Sequence, residues 1–139
     1  MFGATAKFLV VDDMRTMRKL LIKQLGDLGF KNVTEAEDGE KAWTLIQEAL
    51  KAGQPFACVI SDWNMPKMKG IDLLRKVRAD GKTKDLPFLM VTAEVEASSV
   101  AEAKASDTNA SGFLGKPFRP EELKQQLGAA YSTHGKKAA

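Results

Sequence analysis

The chain has 139 residues and a mass of 15.2 kDa, which is the size of one ordinary protein domain. Hydrophobic residues make up 44% of it and charged residues 28%, a composition that excludes collagen, extended disorder and a membrane protein. The formal charge of +3 is spread over lysines interleaved with acidic residues, which argues against binding to nucleic acid. We expect one domain over residues 1–139, with its core at about 7–131 and a polar tail at 132–139 that frays.

The lone cysteine and the N-terminal residues indicate where the protein resides. Cys58 lies inside an apolar run and has no partner for an internal disulfide, so we expect a buried thiol in the reducing cytoplasm. The N-terminal residues lack the basic stretch and long apolar segment of a secretion signal, and no window approaches a membrane span. The prediction is therefore a cytoplasmic protein without a membrane partner.

The first half of the chain predicts two strands, each followed by a helix. The apolar run at 8–11 lacks alternation, as strands do when helices cover both faces of a parallel sheet. A weaker strand is predicted at 32–36. Apolar residues at three- or four-residue spacing predict helices that face the sheet: Met14, Met17, Leu21, Leu25 and Leu28 after the first strand, and Ala42, Leu45, Ile46 and Ala49 after the second.

The second half continues this order with three more units. Strands are predicted at 58–60 and 88–91, and a weaker one at 112–115. Residues 97–106 predict a fourth helix with a thin apolar face, which should open at lower free energy than the rest. The third and fifth helices are predicted from Ile71, Leu74 and Val77, and from Leu123, Leu127 and Ala130 after Pro120. Five such units predict an α/β fold with helices on both faces of one open parallel sheet.

Polar residues stand where the apolar runs end. Asp12 and Asp13 follow the first run, Asp62 the third and Thr92 the fourth, and Lys116 comes just after the fifth. The carboxyl ends of neighbouring parallel strands meet at one edge of the sheet, so we expect these side chains in one shallow pocket. Each residue alone also has an ordinary explanation, such as a helix cap or a solvated turn. It is their combination at strand ends that predicts a functional site.

The residue types at these strand ends suit phosphoryl transfer. Clustered carboxylates repel one another unless a cation lies among them, and a set of oxygen ligands favours Mg²⁺. A carboxylate can attack phosphorus to give an aspartyl phosphate. Lys116 would then supply positive charge and Thr92 a hydroxyl donor to the transferred group.

The sequence resembles the response-regulator receiver family, and within it the chemotaxis regulators of the CheY type. The resemblance covers about residues 7–131 and is carried by the segments FLVVDD, EAEDGEKA, VISDWNMPKMKG, LMVTAE and SGFLGKPF. It implies a flavodoxin-like doubly wound sheet of five parallel strands in the order 2-1-3-4-5, with five helices. CheY is itself a standard example of this strand order.

The resemblance also implies the residues that receive the phosphoryl group and hold the metal. Asp62 would be the phosphoacceptor. Mg²⁺ would be bound by Asp12, Asp13 and Asp62, together with the backbone carbonyl of Asn64.

Further residues are implied to respond to the phosphoryl group. Lys116 would pair with it, and Thr92 would swing toward it on activation. Asn64 and Glu94 match positions that tune dephosphorylation and accept contacts from a phosphatase. Phe113 stands at a switch position where the chemotaxis subgroup often has a tyrosine, and phenylalanine cannot donate a hydrogen bond.

The function implied by the resemblance is that of a stand-alone response regulator in a chemotaxis phosphorelay. The resemblance implies that the donor is a phosphohistidine on a histidine kinase. The one histidine of the chain, His134, lies in the tail, so we do not expect the chain to be its own donor. Phosphorylation would switch the face formed by the fourth helix, the fifth strand and the fifth helix, which would then bind a target such as the flagellar motor switch protein. We expect a monomer that catalyses only its own Mg²⁺-dependent phosphorylation and dephosphorylation and is otherwise not an enzyme.

Other functions stay open at this point. The chain could serve another phosphorelay, act as a phosphate sink, or bind a partner independently of phosphorylation. The last alternative gains weight from Phe113 and from the stretch ASDTNASG before the fifth strand, which is longer than usual and alters the output surface. A magnesium phosphohydrolase also forms an aspartyl phosphate, but such enzymes generally place a second acid two residues after the nucleophile, where this chain has Asn64.

Overall fold

Strands and helices alternate along the described residues from 2 to 92, and a strand and a helix follow within 112–130, as the apolar pattern predicts. The computed structural model describes residues 2–63, 65, 67–92, 111–115 and 118–132, with only the backbone of residue 92. Within them lie the strands β1 (Phe8–Val11), β2 (Val33–Ala36), β3 (Cys58–Asp62), β4 (Phe88–Thr92) and β5 (Gly112–Gly115), and the helices α1 (Arg15–Asp27), α2 (Gly39–Lys51), α3 (Gly70–Ala79) and α4 (Pro120–Ala130). The additional helix predicted at 97–106 lies outside the described residues.

All five strands pair in parallel, in the order β2-β1-β3-β4-β5. This order confirms the predicted flavodoxin-like sheet. Every residue of β1 and of β3 is buried, because helices pack on both faces of the sheet. Double-sided burial is the physical reason that the apolar runs of these strands show no alternation.

The sheet divides the apolar core into two layers. On one side, Leu9 and Val11 of β1 pack with the buried faces of α2 and α3. On the other side, Phe8 and Val10 of the same strand pack with α1 and α4. Burial of each large apolar side chain contributes about 1.5–3 kcal/mol relative to exposure. The two layers therefore hold α1, α2, α3 and α4 against the sheet.

The predicted apolar stripes of the helices are confirmed with one exception. Leu21 and Leu25 of α1 are buried, but Met14 is 54% exposed. Met14 precedes the helix with an extended backbone, so its side chain does not share the helical face. The predicted positions Met17, Leu28 and Leu45 are half-buried and pack against the core. The predicted positions of α2, α3 and α4 that are fully buried are Ala42, Ile46, Ala49, Ile71, Leu74, Val77, Leu123, Leu127 and Ala130.

Aromatic contacts tie both ends of the described chain to the amino end of the sheet. The Phe2 ring lies edge-on to the rings of Phe8 and Tyr131, with centroid separations of 5.4 and 5.2 Å. Cys58 opens β3 nearby and is fully buried, as predicted. Burial raises the pKa of its thiol, and the Arg78 guanidinium offsets only part of this effect. Among the residues that the structure describes, no helix is both long and apolar enough to cross a membrane.

Candidate functional site

The pairing register of β1 and β3 brings two acidic residues to the same edge of the sheet. Val11 pairs with Ser61, so Asp12, which follows β1, and Asp62, the last residue of β3, each lie one step further toward the carboxyl edge. Ligands bind beyond this edge in open parallel sheets. The carboxyl ends of β1 and β3 therefore lie side by side, as the sequence predicts.

The same edge continues across β4 and β5. Asp62 pairs with Val91, so Thr92 lies one step beyond it, and Thr92 pairs with Gly115. Gly115 is followed in the sequence by Lys116. The backbone of Thr92 is thus where the sequence predicted it. The remaining predicted groups lie outside the described residues, and their roles stay predictions: the Thr92 side chain, Asn64, Glu94 and Lys116.

Three carboxylates form a cluster at this edge. Asp12, Asp13 and Asp62 each offer one oxygen, and the three oxygens lie within 4.8 Å of one another. Asp12 is only 1% exposed and Asp62 8%, whereas Asp13 is exposed to solvent. Negative charges at this spacing repel one another, and a cation among them removes the repulsion. The cluster could hold a metal ion, and its oxygen-only ligands suit a hard cation such as Mg²⁺.

Asp12 is held by contacts from three directions. Its N–H donates to the Ala36 carbonyl at 3.1 Å, and its Oδ1 accepts the N–H of Met14 at 2.8 Å. Its carbonyl oxygen accepts Nη1 of Arg18 at 2.6 Å. Arg18 also donates through Nε to Oε1 of Glu35 on β2, at 3.0 Å. Helix α1 and strand β2 are thereby tied to the first acidic residue of the cluster.

The backbone of Asp62 lies directly against the start of α3. A Cβ atom added to Gly70 would overlap the carbonyl oxygen of Asp62 and lie 3.0 Å from Sδ of Met90. The Gly70 N–H donates to the Trp63 carbonyl at 2.9 Å, and the Trp63 N–H donates to the Val91 carbonyl at 2.8 Å. Because any side chain at Gly70 would collide with Asp62, glycine allows α3 to start this close to the cluster.

The loop after Asp62 also packs on the start of α2. Asp38 caps this helix by accepting the Lys41 N–H through Oδ1 at 2.8 Å. Its Oδ2 lies 3.9 Å from Nζ of Lys67, a loop residue with φ of 66°. A Cβ atom on Gly39 would lie 2.8 Å from the Met68 carbonyl oxygen. The loop is thus confined between α2 and α3.

Sequence reasoning assigned no role to Arg18, Asp38, Gly39 or Gly70. An acidic residue followed by glycine before a helix is a visible capping signal at Asp38. No comparable signal marks Arg18 or Gly70, because both approach backbone carbonyl oxygens.

The predicted switch residue Phe113 lies in the middle of β5. Its side chain is half-buried and packs against the core layer of α2 and α3. Its N–H donates to Oε1 of Gln126 on α4 at 3.2 Å. Strand β5 and helix α4 are therefore joined at the position of the predicted switch.

Comparison with known proteins identifies the family. The model of the response regulator receiver domain matches residues 8–128 of this chain. Chemotaxis protein CheY-3 of Vibrio cholerae serotype O1 is 46% identical over 121 residues, which cover 87% of this chain and 88% of that protein. Chemotaxis protein CheY of Pseudomonas aeruginosa is 45% identical over 121 residues, with 87% of this chain and 92% of that protein covered.

A solved structure agrees with this assignment. The chemotaxis response regulator CheY4 of Vibrio cholerae superposes with a TM-score of 0.79 at 37% identity, covering 91% of this chain and 98% of that chain. The family match spans most of the chain, and these relatives share both its fold and much of its sequence. The chain therefore belongs to the response regulator receiver domain family and is CheY-like.

Proposed function

We propose that this protein is a chemotaxis response regulator that accepts a phosphoryl group on Asp62 from a histidine kinase. The observation that carries the proposal is the cluster of Asp12, Asp13 and Asp62 at the carboxyl edge of a receiver-family sheet. The pathway is proposed from the relatives, which are named as chemotaxis proteins.

The proposed cofactor is Mg²⁺, held by Asp12, Asp13 and Asp62 together with the backbone carbonyl of Asn64. The described residues fit this ion because three carboxylate oxygens lie within 4.8 Å of one another and one of the three side chains is exposed. Mg²⁺ usually keeps several water ligands, so a site open to solvent on one side suits it. When bound, the cation neutralises negative charge on the carboxylates and on the phosphoryl group.

The proposed reaction is an in-line transfer between two nucleophiles. A carboxylate oxygen of Asp62 bonds to phosphorus, the bond from phosphorus to the imidazole nitrogen of the donor breaks, and its electron pair leaves with the imidazole. Catalysis then depends on positioning, and the backbone of Asp62 is held by β4 on one side and by Gly70 on the other. Lys116 is proposed to pair with the phosphoryl group, and the Thr92 hydroxyl to donate to it.

The proposed output surface consists of residues 97–106, β5 and α4. Thr92 pairs with Gly115 of β5, and β5 is joined to α4 through Phe113 and Gln126. A movement of Thr92 toward the phosphoryl group would therefore favour one arrangement of this surface over another.

The proposed target of this surface is a flagellar motor switch protein. Because the ring of Phe113 has no hydroxyl, we propose that it contributes apolar contact to the target. A phosphatase that contacts Asn64 and Glu94 is a further proposed partner. We propose that the protein acts as a monomer in the cytoplasm.

The phosphoacceptor is tested by intact mass after incubation with Mg²⁺ and acetyl phosphate. We expect a mass gain of one phosphoryl group that disappears in Asp62→Asn and when Mg²⁺ is chelated. Asp72→Asn is the matched control, because Asp72 is half-exposed on α3 and pairs with Arg75 outside the cluster. A wild-type protein that stays unlabelled, while a known receiver is labelled in parallel, would contradict the proposal.

The same samples test the target. We expect the labelled wild-type protein to bind a purified flagellar motor switch protein more tightly than the unlabelled protein or Asp62→Asn. Labelling without any gain in affinity would leave the chain as a receiver of another phosphorelay or a phosphate sink. Equal binding by Asp62→Asn would favour a phosphorylation-independent binding module.

A further inference from the structure

We infer that Arg18 is a positioning residue that orients both Asp12 and Asp13 for cation binding. The inference rests on the proposed function, in which these two residues are Mg²⁺ ligands. Its basis is the hydrogen bond from Nη1 of Arg18 to the Asp12 carbonyl oxygen, at 2.6 Å. This carbonyl belongs to the peptide group that joins Asp12 to Asp13, and a peptide group is rigid and planar. The orientation of that one plane therefore influences where both carboxylates point.

The Asp12–Asp13 peptide is held from both sides. On the preceding side, the N–H of Asp12 donates to the Ala36 carbonyl in continuation of the pairing between β1 and β2. On the following side, Oδ1 of Asp12 accepts the N–H of Met14, which closes a tight turn. Arg18 holds the carbonyl that lies between these two points. Without that bond the peptide plane can rotate, and the Asp13 carboxylate would be displaced the most because it follows the plane and is exposed.

The guanidinium group of Arg18 suits this positioning role better than the ammonium group of a lysine would. Arg18 donates in two directions, through Nη1 to Asp12 and through Nε to Glu35 at 3.0 Å. These donors belong to one rigid plane, so the bond to Glu35 fixes the direction of the bond to Asp12. The side chain is only 14% exposed, so solvent competes little for the carbonyl. A lysine would keep the charge, but its ammonium lacks the rigid planar set of separated donors that directs both contacts at once.

A role of Arg18 through its charge and a role through positioning predict opposite changes in the affinity for Mg²⁺. If Arg18 acted only through its charge, removing that charge would make the cluster more negative and would strengthen Mg²⁺ binding. If Arg18 orients the carboxylates, removing its hydrogen bond would weaken binding even when the charge is kept. Arg18→Lys and Arg18→Met separate these effects. Lys19→Met is the matched control, because Lys19 is exposed on the same helix.

The test is a Mg²⁺ titration of the full chain, followed by tryptophan fluorescence and by calorimetry. We expect Arg18→Lys to raise the dissociation constant for Mg²⁺ about tenfold, and Lys19→Met to change it less than twofold. Arg18→Met should raise it by a smaller factor than Arg18→Lys, because the lost positive charge offsets part of the lost orientation. In acetyl phosphate labelling, the Mg²⁺ concentration for half-maximal rate should rise by the same factor in Arg18→Lys. The rate at saturating Mg²⁺ should recover to within about threefold of wild type.

The controls distinguish a failure of the inference from a failure of the proposed function. Urea unfolding without Mg²⁺ measures how much the Arg18 substitutions destabilise the fold. If Arg18 had only a structural role, the variants would be less stable but would keep the wild-type dissociation constant for Mg²⁺. Wild-type affinity in Arg18→Lys, or tighter binding in Arg18→Met, would overturn the positioning role and leave the proposed function intact. A wild-type chain that neither binds Mg²⁺ nor becomes labelled would overturn both.

Discussion

An alanine at Gly70 tests how closely the phosphoacceptor strand is packed against α3. The added Cβ would overlap the Asp62 carbonyl oxygen, and real Cβ atoms essentially never come within 3.0 Å of another atom. Asp62 and the start of α3 must then separate by about 1 Å, in a region where Met90 also blocks relaxation. Overpacking of this kind costs about 1–3 kcal/mol of the free energy of unfolding. A displacement of about 1 Å at a reacting group can slow a reaction about 100-fold.

We therefore expect Gly70→Ala to lower the free energy of unfolding by about 2 kcal/mol in urea, and to slow labelling by acetyl phosphate at least tenfold at saturating Mg²⁺. Gly128→Ala is the control, because a Cβ on Gly128 of α4 meets nothing within 4 Å. That variant should label normally and gain about 0.5–1 kcal/mol from helix propensity. Wild-type stability and wild-type labelling in Gly70→Ala would refute the close packing of Asp62 against α3.

Substitutions at two further positions, Cys58 and Asp38, test the core and a helix cap. Burial raises the pKa of the Cys58 thiol, so above the ordinary value of about 8.5 the unfolded chain loses this proton while the folded chain keeps it. The unfolding free energy of the wild type should then fall with rising pH by up to about 1.4 kcal/mol per pH unit, and Cys58→Ala should lack this part of the slope. Urea unfolding between about pH 7 and 9.5 measures both slopes. Identical slopes in the two proteins would contradict the prediction. Asp38→Ala removes the cap of α2 and should lower the unfolding free energy by about 1 kcal/mol, whereas Asp38→Asn keeps a capping oxygen and should lose less. Equal losses in both variants would assign the effect to the contact with Lys67 instead of the cap.

The sheet and the acidic cluster were predictable because both depend on short patterns in the chain. Apolar runs without alternation marked β1, β3 and β4, and weaker patterns marked β2 and β5. The parallel order then placed Asp12 and Asp62 at one edge. The ends of the strands were less predictable. Strand β3 continues to Asp62 and β4 to Thr92, each beyond its apolar run, because backbone pairing does not depend on side-chain polarity. Met14 was misplaced for a related reason, since periodicity does not show where helical dihedral angles begin.

The contacts that hold the site together could not be predicted from residue types. Arg18 binds the carbonyl of Asp12, and Gly70 lies against the carbonyl of Asp62. Every residue has a carbonyl oxygen, so the sequence does not show that those of Asp12 and Asp62 are the ones contacted. Such contacts depend on the relative placement of a helix and a strand, which emerges only from the packing of the two core layers.

The contact of the Phe2 ring with Phe8 and Tyr131 places the ends of the described chain far from the acidic cluster. The beginning and the end of the described chain meet at the amino edge of the sheet, at the opposite end of the strands from the carboxylates. A fluorescent protein or affinity tag attached directly at residue 2 or residue 132 would start at the amino edge of the sheet, away from the acidic cluster. The same proximity suits a circular permutant of residues 2–132, in which a short linker joins residue 132 to residue 2. New termini could then be opened in an exposed turn such as the one at Gly53.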